Sequence, residues 1–438
     1  MPFLTRAGVL APLAALVLAI ALFLDATDNF SGQIGIDFYH LWGVPAAHEA
    51  LGTEVNPYAA TTAYARRLNE VAAASTSAKL KAVNAHRRTI EPTGTPSFYA
   101  AFDVLPRDFD RAYGIFATLQ FIATGAAVIV LARTRGAGAW IALCIAFAVE
   151  LTFNPFIQDV KYGNVNSFQL LAVVALAAIS ARGLLDRFRA LDVLYLGALA
   201  ALLVFKPNTL WIAAALAAHY AVVRGPRRFA IGALVAVPVA IAAVLAGAVH
   251  FGGGQVWHDW VAYTQGANGG TLLYRNEQGN QALPMWLSQH SKAYGPFGYG
   301  LLLAAFLGVL LLAAMTALGK RTDLLRPTAC ALLCDAWFAA SAGVVLTFAA
   351  SPLLWPHYYV FALVPIFAMF RASGRWDLAT ACAIVTYLAM SRMLTTTLLA
   401  GEMFGALGFF MMLPWVPLVV GLCAWAAERR RALGVAPA

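Results

Sequence analysis

Charge is what this chain has least of. Only 12% of its 438 residues are Asp, Glu, Lys or Arg, and 61% are hydrophobic. A soluble globular protein carries about 25% charged residues, so an ordinary water-soluble globule is excluded. Cysteine is scarce too. The five present, Cys144, Cys330, Cys334, Cys382 and Cys423, lie in apolar runs with no CxxC pair. That argues against a disulfide framework, and Cys330 and Cys334, which share a helix face, read as small packing residues. No cluster of His, Asp and Glu has metal-ligand spacing, and no glycine-rich phosphate loop follows a strand. Neither a cofactor nor an obligatory metal is expected. The two halves share no repeated motif, and no stretch reads as a separate soluble domain.

What is present is a succession of long apolar runs. A bilayer core needs roughly 20 apolar residues per crossing helix, and lipid accepts only segments that satisfy their own backbone. The sequence therefore predicts an all-α integral membrane protein, one polytopic domain over residues 1–438 with about 12 transmembrane helices. The spans fall near 8–24, 111–132, 138–153, 165–181, 190–205, 208–223, 229–250, 297–318, 329–350, 357–371, 376–392 and 405–427. The first reads as uncleaved, because Asp25-Ala26-Thr27-Asp28 is a poor cleavage site. Residues 190–223 also fit one broken hairpin.

The formal net charge is +9. Its basic residues sit in short loops: Arg133 and Arg135; Arg182, Arg187 and Arg189; Arg224, Arg227 and Arg228; Lys320, Arg321 and Arg326; Arg371 and Arg375; Arg429, Arg430 and Arg431. The positive-inside rule explains them as cytoplasmic loops, so no nucleic-acid partner is needed. The long loops 25–110 and 251–296 then face outside, with the turns at 154–164, 206–207, 351–357 and 393–404. In the first loop Tyr64, Leu68, Val71, Leu80 and Val83 recur at helical spacing among Arg66, Arg67, Lys79, Lys81, Arg87 and Arg88. They predict amphipathic helices on the lipid headgroups, or alternatively a solvated helical hairpin.

The polar residues collect at the outer ends of the spans: Asp37, Tyr39, His40, Lys161, Asn164, Asn166, Lys206, Asn208, Asn280, Gln281 and His357. An enzyme working there cannot draw on cytoplasmic nucleotide sugars and needs a donor carried by lipid. The motifs, in order, are Asp37-Phe38-Tyr39-His40-Leu41-Trp42, Asn56-Pro57-Tyr58, Pro96-Ser97-Phe98-Tyr99, Tyr162-Gly163-Asn164-Val165-Asn166, Phe205-Lys206-Pro207, Gly279-Asn280-Gln281-Ala282-Leu283 and Ser351-Pro352-Leu353-Leu354-Trp355-Pro356-His357. This series resembles glycosyltransferase family 87, the polyprenyl-phosphate-mannose-dependent alpha-mannosyltransferases of the GT-C superfamily. Nearly the whole chain takes part. Asn164 departs from the family's Gly-Gln-x-Asn pattern, and the segment 59–95 is longer than the family's minimum.

The resemblance implies a GT-C fold and an inverting transfer of a sugar, mannose first, from a polyprenyl-phosphate donor to a lipid or glycan acceptor. It implies a bacterial inner membrane with the site on the periplasmic side, and membrane lipids as partners. Asp37 becomes the catalytic base that takes the acceptor proton; the plain alternative is a helix N-cap. His357 contacts the donor phosphate, or sits in an aromatic belt. Lys206 neutralises the leaving phosphate, or snorkels to headgroups. Tyr39, His40, Asn164, Asn166, Asn280 and Gln281 are candidate substrate contacts, and the amides among them equally fit helix caps. His219, His250, His258 and Asp335 read as structural. The rivals are a transferase using another lipid-linked sugar such as arabinose, a secondary transporter or lipid flippase, and a degenerate assembly partner.

Overall fold

A computed structural model describes residues 35–52, 55–87, 90–187, 190–264, 325–351, 354–370, 377–392 and 415–432. The spans expected at 8–24 and 297–318, and the candidates Asn280 and Gln281, lie outside the described residues. Within them the chain is helical, and the sole β pairing is a single bridge between Phe153 and Ser391.

The first outer segment forms α1 (Ile36–Leu51), α2 (Thr61–Ala74), α3 (Ala78–His86) and α4 (Pro96–Phe102). Then come α5 (Phe109–Thr134), α6 (Ala139–Thr152), α7 (Asn154–Tyr162), α8 (Asn166–Ala181), α9 (Ala190–Phe205), α10 (Leu210–Arg224), α11 (Pro226–His250) and α12 (Gln255–Thr264). After the gap follow α13 (Leu325–Leu333), α14 (Ala336–Ala350), α15 (Leu363–Met369), α16 (Leu378–Ala389) and α17 (Trp415–Ala432). Helices α9 and α10 are separate and meet at Lys206 and a 3-10 turn, Pro207–Thr209.

Two of these, α5 with 26 residues and α11 with 25, are long and apolar enough to cross a bilayer alone. The spans expected at 138–153, 165–181, 190–205 and 208–223 are the single helices α6, α8, α9 and α10, whereas those expected at 329–350 and 357–371 are interrupted. Helices α6, α8, α9, α14 and α16 have 12–16 residues, which reach only about 18–24 Å. Polar residues break the longer apolar runs. The connection expected at 154–164 is itself helical, as α7. The span expected at 329–350 divides after Leu333, where Asp335 accepts from the backbone N–H groups of Trp337 and Phe338 and starts α14. The span expected at 357–371 opens as a 3-10 helix, Pro356–Ala362, before α15.

Packing makes two apolar clusters. The larger joins α5 to α10 and α14 to α17 around Phe153, Phe156, Phe348 and Phe361. The smaller gathers α1 to α4 and the start of α5 around Phe38, Trp42, Tyr64 and Tyr99. It absorbs the stripe read as headgroup-facing: Tyr64, Leu68, Leu80 and Val83 are buried within it, while Arg66 and Lys81 stay exposed. Along α11 the reverse holds, with Leu234 71% and Val249 76% exposed, the pattern of a lipid-facing helix. Polar side chains concentrate on the seam between the clusters.

Candidate functional site

The seam is built on a tight approach of α1 to the end of α7. Gly35 precedes α1 with φ 67°, and its N–H donates to the Lys161 carbonyl at 2.8 Å. Gly163 ends α7 with φ 71°, where a Cβ would lie 2.5 Å from the Cβ of Phe38. Only glycine permits both the left-handed backbone and the contact. Asp37 is thereby set against Asn164. It is not the N-cap: Gly35 holds that position, and no side chain caps the helix.

Asn164 is the junction. Its Nδ2 donates to Asp37 Oδ2 at 2.8 Å and lies 3.1 Å from His357 Nε2. Its Oδ1 accepts from Lys206 Nζ at 2.7 Å and from the Val165 N–H at 2.8 Å. Lysine and a backbone N–H can only donate, so they fix the amide orientation. His357 Nε2 must then accept, which leaves the ring proton on Nδ1, a buried atom with no hydrogen-bond partner. His357 Nε2 is 3.7 Å from Asp37 Oδ2, and Asp37 keeps a third of its side chain exposed. Lys206 turns inward, 5.3 Å from the centre of the Tyr358 ring, rather than out to headgroups.

Behind this row lies Asp159, a carboxylate that sequence reasoning passed over. It is fully buried. Its oxygens accept from Ser167 Oγ at 2.6 Å, the Ser167 N–H at 2.9 Å, Asn166 Nδ2 at 3.0 Å and Gln120 Nε2 at 3.2 Å. Asn208 Nδ2 donates to Asn166 Oδ1 at 3.2 Å, and Gln169 Nε2 to Asn208 Oδ1 at 2.9 Å. A carboxylate seven residues before an apolar helix start was the available signal, since α8 begins at Asn166 and a carboxylate favours a helix N-terminus. A further buried carboxylate, Glu150 of α6, also went unnoticed. It abuts Gly125 of α5 and makes no bond to this cluster.

Burial dominates the electrostatics. It raises the Asp37 carboxyl above its ordinary range, with the Asn164 hydrogen bond, Lys206 and Arg87 pulling back. It pushes Asp159 up to about 7 against the Ser167 and Asn166 hydrogen bonds and Lys206. It pushes Lys206 down to about 8, opposed by Asp37 and then Asp159.

The structure thus brings together Asp37, Asn164, Lys206 and His357, with Asn166 behind them. It does not bring in Tyr39 or His40 as partners of Asp37. The Tyr39 hydroxyl donates to Asn84 Oδ1 at 2.7 Å and pins α3 to α1. His40 Nδ1 accepts from the Glu91 N–H at 3.5 Å. For Tyr39 the reason is angular, since a side chain two positions along a helix lies off the face of Asp37; His40, three positions on, shares that face but its Nδ1 is taken by the Glu91 N–H. Asn166 is fully buried with its amide committed to Asp159 and Asn208, so it braces the site rather than lining it. His219 is structural, between Ser180 Oγ and the Leu333 carbonyl, each at 2.6 Å.

A model of glycosyltransferase family 87 matches residues 92–341. That is more than half of the chain. The chain belongs to glycosyltransferase family 87. It is accordingly a membrane glycosyltransferase, which removes the transporter reading. No curated protein and no solved structure matches it. The family match contains Asn164, Asn166, Asp159 and Lys206 but ends short of Asp37 and His357 on either side. Those two join the family's segment through the Asn164 amide, which bonds both.

Proposed function

We propose that this transferase moves a sugar, most simply mannose, from a polyprenyl-phosphate donor to a hydroxyl of a lipid or glycan acceptor on the extracytoplasmic face of a bacterial inner membrane. The observation that carries the reading is the Asp37 carboxylate, one third exposed and held by Asn164 beside Lys206 and His357. A hydroxyl transfer needs a base at one side of the anomeric carbon and positive charge or N–H donors at the other. Asp37 supplies the base. Lys206 and the free Nδ1–H of His357 supply the donors for the phosphate, which gains charge as its bond to carbon breaks. The nucleophile and leaving group stand on opposite sides of the carbon, so a beta-linked donor gives an alpha-linked product. A GT-C architecture suits lateral entry of a lipid donor.

The test is purified protein in lipid nanodiscs with a panel of polyprenyl-phosphate sugars, arabinose and glucose donors included, and cell-envelope lipid extracts as acceptors. Wild-type protein is expected to transfer mannose. Asp37→Asn is expected to keep donor binding and lose transfer by roughly 10²–10⁴-fold. Normal turnover in that variant removes Asp37 as base, and product from the arabinose donor alone replaces mannose.

A further inference from the structure

Asp159 touches neither Asp37 nor the opening beside it, yet two bonded routes run from it to Lys206. Its carbonyl accepts the Asn164 N–H at 3.0 Å, and Asn164 Oδ1 receives the Lys206 ammonium at 2.7 Å. Its carboxylate holds Asn166 at 3.0 Å, Asn166 holds Asn208 at 3.2 Å, and Asn208 follows Lys206 by two residues. Four donor contacts to one carboxylate, and the dipole at the start of α8, oppose the burial that raises Asp159 to about 7, so it is anionic in the alkaline range where Lys206, at about 8, loses its proton. Lys206 is also flanked by Asn164, the neutral His357 and the Tyr358 ring. Its anionic neighbours are Asp37 and Asp159.

During transfer one of these two anions disappears. The acceptor oxygen bonds to the anomeric carbon, its proton passes to Asp37, and the carbon–phosphate-oxygen bond breaks with its electron pair leaving on the phosphate. Asp37 is then neutral, at the moment when the phosphate most needs a cation. A buried lysine without a counter-charge tends to lose its proton.

We propose that Asp159 is a positioning residue that holds Asn164 and Lys206 in place and keeps Lys206 cationic once Asp37 has taken up the acceptor proton. This rests on the reading of Asp37 as base and of Lys206 as phosphate contact. Asp37→Asn mimics the protonated state, so binding can be read without turnover. The experiment measures polyprenyl monophosphate binding against pH in nanodiscs for Asp37→Asn, Asp37→Asn with Asp159→Asn, and Asp37→Asn with Ser167→Ala. Binding is expected to fall as pH rises and Lys206 deprotonates. Asp159→Asn moves that limb to lower pH by about one unit. Ser167→Ala, which keeps the carboxylate but removes its 2.6 Å donor, moves it the same way by a smaller step. Coincident limbs in all three proteins, or no alkaline limb at all, overturn the proposal. Should Asp159→Asn not fold, Ser167→Ala decides alone. Failure of the base reading shows separately, as normal turnover in Asp37→Asn with the binding limbs unchanged.

Discussion

Asn164 is the residue on which the site turns. One short amide satisfies a carboxylate and an imidazole from one end and an ammonium from the other. Removing it leaves the partly exposed Asp37 without its hydrogen bond, and that bond is the largest influence holding its pKa down. Asn164→Ala is therefore expected to move the acid limb of the pH–rate profile to higher pH. The sign follows from the base role: a carboxylate whose pKa rises is protonated, and idle, over a wider acidic range. Loss of alignment lowers kcat by roughly 10²-fold. An acid limb that stays in place while kcat falls shows that Asn164 orients Asp37 without tuning it. Single positions were the most legible part of the sequence. Asp37, Asn164, Lys206 and His357 stood out as polar residues at the ends of apolar runs. Asp159 did not, because its donors Gln120 and Ser167 come from different helices and only the fold puts them together. Tyr39 and His40 show the opposite limit. They adjoin Asp37 in sequence, but the helix turns Tyr39 toward Asn84 and His40 toward Glu91.

At the level of elements, the site depends on backbones meeting where side chains are absent. Gly163 is the clearest instance. Alanine there takes on a left-handed backbone, costing about 1–2 kcal/mol, and overlaps Phe38, adding about 1–3 kcal/mol. Gly163→Ala is expected to lower thermal stability and to part Asp37 from Asn164, so that activity falls further than the loss of folded protein accounts for. Activity that tracks the folded fraction alone rules out the second effect. Asp335 is the contrast. It caps α14 through Trp337 and Phe338, and Asp335→Ala is expected to cost about 1 kcal/mol with transfer per folded molecule unchanged. Helix positions were largely legible from apolar periodicity: the runs at 165–181 and 190–205 became α8 and α9 within a residue. Breaks were less legible, because hydropathy does not register an Asp or a Pro that restarts a helix inside an apolar run. The hairpin α2–α3 shows the same limit. Its stripe of Tyr64, Leu68, Leu80 and Val83 reads as amphipathic whether it covers lipid or, as here, the protein itself.

On the scale of the whole molecule, the arrangement of charge carries the orientation. Helix α11 begins beside Arg227 and Arg228, is about 38 Å long and ends at His250, whose carbonyl meets His48 Nε2 of α1 at 2.9 Å. Its last residue therefore shares a side with α1 and the Asp37 cluster, and its first residue lies a bilayer away. The exposed Val104, 86% accessible in the connection between α4 and α5, belongs with α1. The positive-inside rule predicts the Arg227 end in the cytoplasm, and the proposed transfer from a lipid-borne donor requires Asp37 on the opposite, outer side. In a background without cysteine, Val104→Cys is expected to react with a membrane-impermeant maleimide in sealed right-side-out vesicles, and Arg227→Cys only after permeabilisation. The reverse pattern inverts the molecule. It would set Asp37 among cytoplasmic nucleotide sugars and take away the reason for a polyprenyl-phosphate donor, even with every contact of the cluster intact.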